Sequence, residues 1–150
     1  MGQLKPEKLA KGGKLGLDTV VFVYFLEQHP EHYPKAKQLF QRIESGDMTG
    51  VISTLVFAEL LVPAYRANDV ERAETLLLVL TTFPNLQVAP LSARISAEAA
   101  RLRAIRGMRT PDAIHVATAL QMGVSGIVTN DKAFLRLAGL LDIWLFDPDR

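Results

Sequence analysis

The chain has no cysteine among its 150 residues. That excludes disulfides, thiolate zinc sites and cysteine nucleophiles, and it fits a reducing compartment such as the cytoplasm. Long apolar runs are also missing. The longest, Val20 to Leu26, is far short of the ~20 residues that a membrane-spanning helix needs. No apolar stretch with a small-residue cleavage site follows the N-terminal lysines, so no signal peptide is expected. Pro6 stands where an N-myristoylation motif wants Ser or Thr. A cytoplasmic protein with no membrane partner is the expectation. Aromatic residues do not interleave with basic ones as they do on single-strand nucleic-acid platforms. An excess of either charge is absent too: 17 Lys and Arg against 16 Asp and Glu leave a net charge of +1, which says little about partners.

What is present suffices for one folded domain, since 49% of the chain is hydrophobic and 22% charged. The basic residues are unevenly placed. Lys5, Lys8, Lys11 and Lys14 lie in the first segment, while Arg94, Arg101, Arg103, Arg106 and Arg109 crowd the approach to Asp112. These are either two solvated basic faces or phosphate contacts beside an acidic metal site.

Residues 1–13 read as a basic N-terminal extension with room for one helical turn, and residues 14–150 as a single domain. Strands are expected at 14–17, 48–53, 86–89, 126–129 and 143–146. Helices are expected at 19–28, 35–45, 54–66 with a kink at Pro63, from Asn68-Asp69 to before Pro84, 92–106, 110–122 and 131–138. Pro34 suits a first helical position, and Gly46, Gly107 and Gly123 suit C-terminal caps. Thr54, Thr110 and Asp131 are expected to cap the helices that follow them. Strands alternating with helices predict an α/β fold with a parallel sheet covered on both faces.

Four acidic residues stand at the edges of apolar segments: Asp18 in Leu17-Asp18-Thr19, Glu59 in Ala58-Glu59-Leu60, Asp112 in Thr110-Pro111-Asp112-Ala113, and Asp131 in Thr129-Asn130-Asp131. Taken singly, each has an ordinary reading as a helix cap or a solvated helix residue. A carboxylate beside an apolar run is costly to desolvate without compensation, and several converging carboxylates repel one another unless a divalent cation holds them together. Ligands of open parallel sheets bind beyond the carboxyl ends of the strands. Asp18 ends the first of the five expected strands and Asp131 follows the fourth. The helix dipole favours Asp112, and Glu59 reaches inward from the helix after the second strand. A cluster binding Mg²⁺ or Mn²⁺ is the expectation.

The motifs Leu-Asp-Thr, Ala-Glu-Leu, Thr-Pro-Asp-Ala-Ile-His-Val-Ala-Thr-Ala and Val-Thr-Asn-Asp-Lys-Ala-Phe, in this order from about Leu15 to Phe146, resemble those of the PIN-domain family of metal-dependent nucleases, and most of all its VapC-type toxins. The resemblance implies a three-layer α/β/α sandwich with a five-stranded, mostly parallel sheet of strand order 3-2-1-4-5. It implies Mg²⁺ or Mn²⁺ ligation by Asp18, Glu59, Asp112 and Asp131, with Thr129 orienting a carboxylate or a water. The activity implied is endoribonucleolytic hydrolysis of RNA, as the toxin of a type II toxin–antitoxin pair with a small antitoxin protein as partner. Val20 departs from the family pattern, where Asn or Ser is common, so no polar role is assigned there.

Within that frame Asp18, Asp112 and Asp131 hold the principal metal, Glu59 acts through water or a second site, and Arg106 and Arg109 clamp the substrate backbone. His115, three residues after Asp112, shares its helix face and is read as a packing or hydrogen-bonding position rather than a ligand. His29 and His32 read as loop residues and Trp144 as core. The run Leu76 to Leu80 is apolar all round a helix, which motivates a homodimer, with enclosure by neighbouring helices as the alternative. Two other function classes compete. A catalytically silent PIN-like module that binds RNA or protein has no reason to keep four mutually repelling charges. A phosphatase with an aspartyl nucleophile wants a second Asp where Val20 stands, and a serine hydrolase wants a Gly-x-Ser-x-Gly elbow that is absent.

Overall fold

The computed structural model describes residues 2–149. Six parallel strands form one sheet: β1 (Gly2–Gln3), β2 (Lys14–Leu17), β3 (Thr49–Ser53), β4 (Leu86–Ala89), β5 (Gly126–Thr129) and β6 (Asp142–Leu145), in the order β1-β6-β5-β2-β3-β4. Without β1 this is the 3-2-1-4-5 order expected from the resemblance. The sixth strand is two residues long and pairs with β6, with the Leu4 N–H donating to the Leu145 carbonyl at 2.7 Å. A strand this short carries no periodicity, so only its tertiary pairing reveals it. The segment after it makes a 3₁₀ turn at Pro6–Lys8, whose Pro6 and Leu9 carbonyls both accept from Arg42 Nη1.

Among the described residues, seven α-helices cover the sheet: α1 (Thr19–Leu26), α2 (Tyr33–Glu44), α3 (Leu55–Leu60), α4 (Val62–Arg66), α5 (Val70–Thr81), α6 (Ala93–Arg106) and α7 (Thr110–Gln121). Side chains alternate across a strand, so Leu15, Leu17, Ile52 and Val128 point to one face while Val51, Ile127, Ile143 and Leu145 point to the other. The first group builds a core with Val21, Phe22, Leu39, Phe40 and Ile43 of α1 and α2. The second builds a core with Ile95, Ala99 and Leu102 of α6 and Ala113, Val116 and Ala117 of α7. Gly16 sets how closely α7 lies on β2. A Cβ there would stand 3.0 Å from the Ala119 Cβ, so only glycine lets the helix approach this far.

The caps differ from expectation in two places. Thr54 makes no side-chain cap; Ser53 Oγ accepts from the Leu55 N–H instead. Thr110 is the first residue of α7 rather than its cap, and Arg109 holds the extended position before it, because the turn at Gly107 (φ 66°) already redirects the chain. Asp131 does cap the next segment, but Lys132–Leu137 is a 3₁₀ helix rather than an α-helix. The predicted kink is realised as a break between α3 and α4, with Pro63 in the first turn of the second helix. On α5 the chain buries Leu80 but leaves Leu78 64% and Val79 47% exposed, so its own helices do not enclose this run. No helix of the described residues is long and apolar enough to cross a membrane.

Candidate functional site

The sheet register creates the site. Leu17 pairs with Val128 across β2 and β5, which sets Asp18 beside Thr129 at the carboxyl ends of two central strands. Asp18 continues the ladder through its N–H to the Val128 carbonyl at 3.1 Å, then caps α1: its Oδ1 accepts from the Thr19 N–H at 2.8 Å. Its Oδ2 accepts from the Thr129 hydroxyl at 2.7 Å. The ordinary reading of Asp18 as a cap is therefore realised.

Thr129 is completely buried. Its hydroxyl also accepts from the Asp131 N–H at 3.1 Å, and Asp131 Oδ1 accepts from the Ala133 N–H at 2.9 Å. One hydroxyl thus ties two acidic residues on neighbouring segments into fixed positions. Burial pushes the Asp18 carboxyl above its ordinary pKa. His115 and the Thr129 and Thr19 hydrogen bonds pull the other way, and the nearby Asp112 charge adds to the rise.

Helix α7 supplies the third acid. Asp112 is 8% exposed and lies in the first turn, where the helix dipole favours its charge. Arg109 Nε lies 3.4 Å from its Oδ2, and the arginine side chain is 78% exposed. One turn on, the buried His115 points its Nε2 at Glu59 Oε1 of α3 at 2.7 Å. The same nitrogen lies 3.4 Å from the Thr19 hydroxyl and 3.9 Å from Asp18 Oδ1. Glu59 Oε1 also accepts from the Thr19 hydroxyl at 2.7 Å. These bonds, the one from His115 foremost, lower the Glu59 pKa below its ordinary value. A carboxylate only accepts, so Nε2 carries the imidazole proton. The other ring nitrogen, Nδ1, is buried without a hydrogen-bond partner.

All four predicted acids line one cleft of about 460 Å³, together with Thr19, Val20, Tyr24, Arg109, Asn130 and Lys132. The two predicted arginines part company. Arg109 borders the cleft, whereas Arg106 donates from Nη1 to the Arg136 carbonyl at 2.9 Å and Arg136 answers with a bond to the Gly107 carbonyl. His115 and Thr129 stand behind the acids. His115 is buried and hydrogen-bonded, in keeping with its reading as a packing or hydrogen-bonding position. Thr19, whose one signal was its place in the Leu-Asp-Thr motif, and Lys132 beside Asp131 were not read from the sequence.

The donor set suits a hard divalent cation: every acid offers oxygen, and one of the carboxylates is held up in pKa by burial. The spacing is open. Among the described residues, three ligand-type side chains approach within 4.8 Å of one another only at Glu31, His32 and Asp147, outside this cleft. A wider oxygen set matches an ion that keeps several of its waters.

Comparison with known proteins agrees with this geometry. The PIN domain family model matches residues 16–140. No curated protein sequence matches the chain. Among solved structures it is similar to a DNA-bound VapBC from Salmonella typhimurium, at TM-score 0.66 and 22% identity over 90% of this chain and 98% of that one. It is similar also to a toxin–antitoxin complex from Klebsiella pneumoniae, at 0.62 and 21% over 88% and 95%. FitAcB from Neisseria gonorrhoeae gives 0.63 and 18% over 87% and 96%. At these identities the structures share a fold. The family match spans most of the sequence and contains all four acids, and the chain belongs to the PIN-domain family, whose members are generally nucleases.

Proposed function

We propose that this protein is a Mg²⁺- or Mn²⁺-dependent endoribonuclease and the toxin of a toxin–antitoxin pair. The observation that carries the reading is the convergence of Asp18, Glu59, Asp112 and Asp131, from four separate segments, on one cleft. Asp18, Asp112 and Asp131 would hold the principal ion. Glu59, committed through Oε1 to Thr19 and His115, would act at longer range or through water. What a divalent ion supplies there, when bound, is a lower pKa for water and compensation of charge developing on phosphorus.

The chain's own residues do the rest. Thr129 holds Asp18 and Asp131 in register, so the oxygens facing the cleft do not have to be ordered when substrate arrives. His115 and Thr19 hold Glu59. Arg109, exposed where it lines the cleft, is suited to a phosphate of the RNA backbone, and Lys132 offers a second cation in the lining. The antitoxin expectation draws support from the toxin–antitoxin complexes among the similar structures. The homodimer expectation draws support from the exposed Leu78 and Val79 on α5 and Tyr65 on α4. Cytoplasmic residence remains part of the proposal.

The test is RNA cleavage with and without EDTA, on wild type and on Asp18→Asn and Asp112→Asn. Cleavage should require the divalent ion and fall at least a hundredfold in each variant. Cleavage that survives chelation, or persists undiminished in both variants, would overturn the reading. RNA binding by an inert wild type would favour the catalytically silent module.

A further inference from the structure

A second group of ligand-type side chains lies away from the acidic cleft. Glu31 and His32, in the loop joining α1 to α2, meet Asp147, which follows β6; their ligand atoms all lie within 4.8 Å of one another. The geometry points to a second metal site here, formed by Glu31, His32 and Asp147 and taking a nitrogen-accepting divalent ion such as Zn²⁺.

The first argument is donor chemistry. The cleft offers oxygen only to its interior, which suits Mg²⁺. This group adds an imidazole, which suits Zn²⁺, and one nitrogen with two carboxylates is a three-ligand set that leaves a further position for water. The second argument is the way the imidazole is held. His32 is 7% exposed, packed 4.7 Å from the Tyr24 ring, 4.7 Å from His29 and 5.4 Å from Phe146. A ring gripped on several sides has lost its rotamer freedom before any ion arrives, so ligation costs little further ordering. Glu31 is exposed and Asp147 half-buried, so the group is open to solvent on one side.

The site would have a structural consequence. Asp147 donates its N–H to Asn130 Oδ1 at 2.9 Å, and Asn130 Nδ2 donates to the Tyr24 hydroxyl at 2.9 Å. Tyr24 and Asn130 both line the acidic cleft. An ion at Glu31, His32 and Asp147 therefore clips the segment after β6 to the α1–α2 loop and braces that cleft wall from behind. The role is one of positioning; none of the three residues reaches the cleft.

The experiment titrates Zn²⁺ by calorimetry into the full chain carrying Asp18→Asn and Asp112→Asn, so that the acidic cleft contributes little. One saturable site is expected, with a rise in melting temperature on addition of Zn²⁺. Replacing His32 would hollow the aromatic cluster, so the ligands are tested through Glu31→Gln and Asp147→Asn, which keep shape and remove charge. Each should weaken Zn²⁺ at least tenfold in protein whose metal-free melting temperature is close to that of the parent. Co²⁺ in place of Zn²⁺ should give visible absorption bands that millimolar Mg²⁺ does not remove. Absence of saturable Zn²⁺ binding in the parent, or an affinity unchanged by both substitutions, would overturn the site. These readouts are binding and spectroscopy, so a failure of the nuclease reading leaves them interpretable.

Discussion

Replacing Thr129 by Val tests whether one buried hydroxyl organises the acidic cleft. The two side chains have nearly the same shape, and Val is at home in a strand, so packing and propensity change little. Two interactions are lost. The Asp18 Oδ2 acceptor, 2.7 Å away, loses its donor, and the Asp131 N–H, 3.1 Å away, loses its acceptor. A hydrogen bond to a charged group contributes about 1.5–3 kcal/mol, and a buried group left unsatisfied costs about 1–3 kcal/mol. Partial exposure of the cleft side lets water recover some of this, so a loss of about 2–4 kcal/mol at neutral pH is expected. Thr129→Ser keeps the hydroxyl and removes one methyl group, for about 1 kcal/mol. Urea denaturation in EDTA measures both. The loss in Thr129→Val should shrink in acid, because protonated Asp18 no longer needs a donor at Oδ2. A Thr129→Val protein as stable as Thr129→Ser, or a loss that does not vary with pH, would refute the reasoning.

Two further outcomes follow from the same groups. The folded pKa of Asp18 is raised, so its contribution to stability is fully present below the ordinary carboxylate value and is lost as pH rises through the raised one. Asp18→Asn cannot ionise, so in EDTA it should be more stable than wild type at neutral pH, within the ~0.5–2 kcal/mol common for single stabilising substitutions. The gain should vanish in acid, and equal stability at neutral pH would count against burial as the cause of the shift. Of the two arginines, Arg109→Ala should raise the KM for RNA about tenfold, while Arg106→Ala should lower the melting temperature and leave KM near wild type. Steady-state kinetics with calorimetry separates them, and the reverse pattern would show that Arg106 leaves its carbonyl partner to meet substrate.

The α/β architecture was readable because its signals are local. Leu15 and Leu17 alternate with Gly16, and the run to Thr129 is apolar throughout, as strands covered on both faces should be. The acids were readable because each stands at the edge of an apolar segment, two at strand ends and two on helices. Other features depend on contacts between distant residues. The pairing of Gly2 and Gln3 with β6 exists only once β6 is in place. Arg106 differs from Arg109 because α6 has already delivered it to the Arg136 carbonyl, which no spacing rule reveals. His115 was legible as a packing or hydrogen-bonding position, but its partner was not, because the Glu59 carboxylate that it meets lies 56 residues away. The length of α7 was foreseen while its cap was not, since the preceding turn positions Arg109 without help from a threonine hydroxyl.

The groups that support the acids share a property that bears on what the cleft can bind. Thr129 and Thr19 satisfy carboxylate oxygens with hydroxyls, and His115 does so through Nε2 of a buried ring. The two hydroxyls are neutral donors, so they fix Asp18 and Glu59 in place without cancelling their charge. Had a buried lysine stood in place of Thr129, it would have held Asp18 as firmly and discharged it. The one arginine in contact, Arg109, is 78% exposed, so water and salt screen most of its effect on Asp112. Asp18, Glu59 and Asp131 are therefore ordered by hydrogen bonds, at the carboxyl ends of the strands where water can enter. A small cation that brings its own waters is the ligand that relieves that arrangement without displacing the bonds that built it.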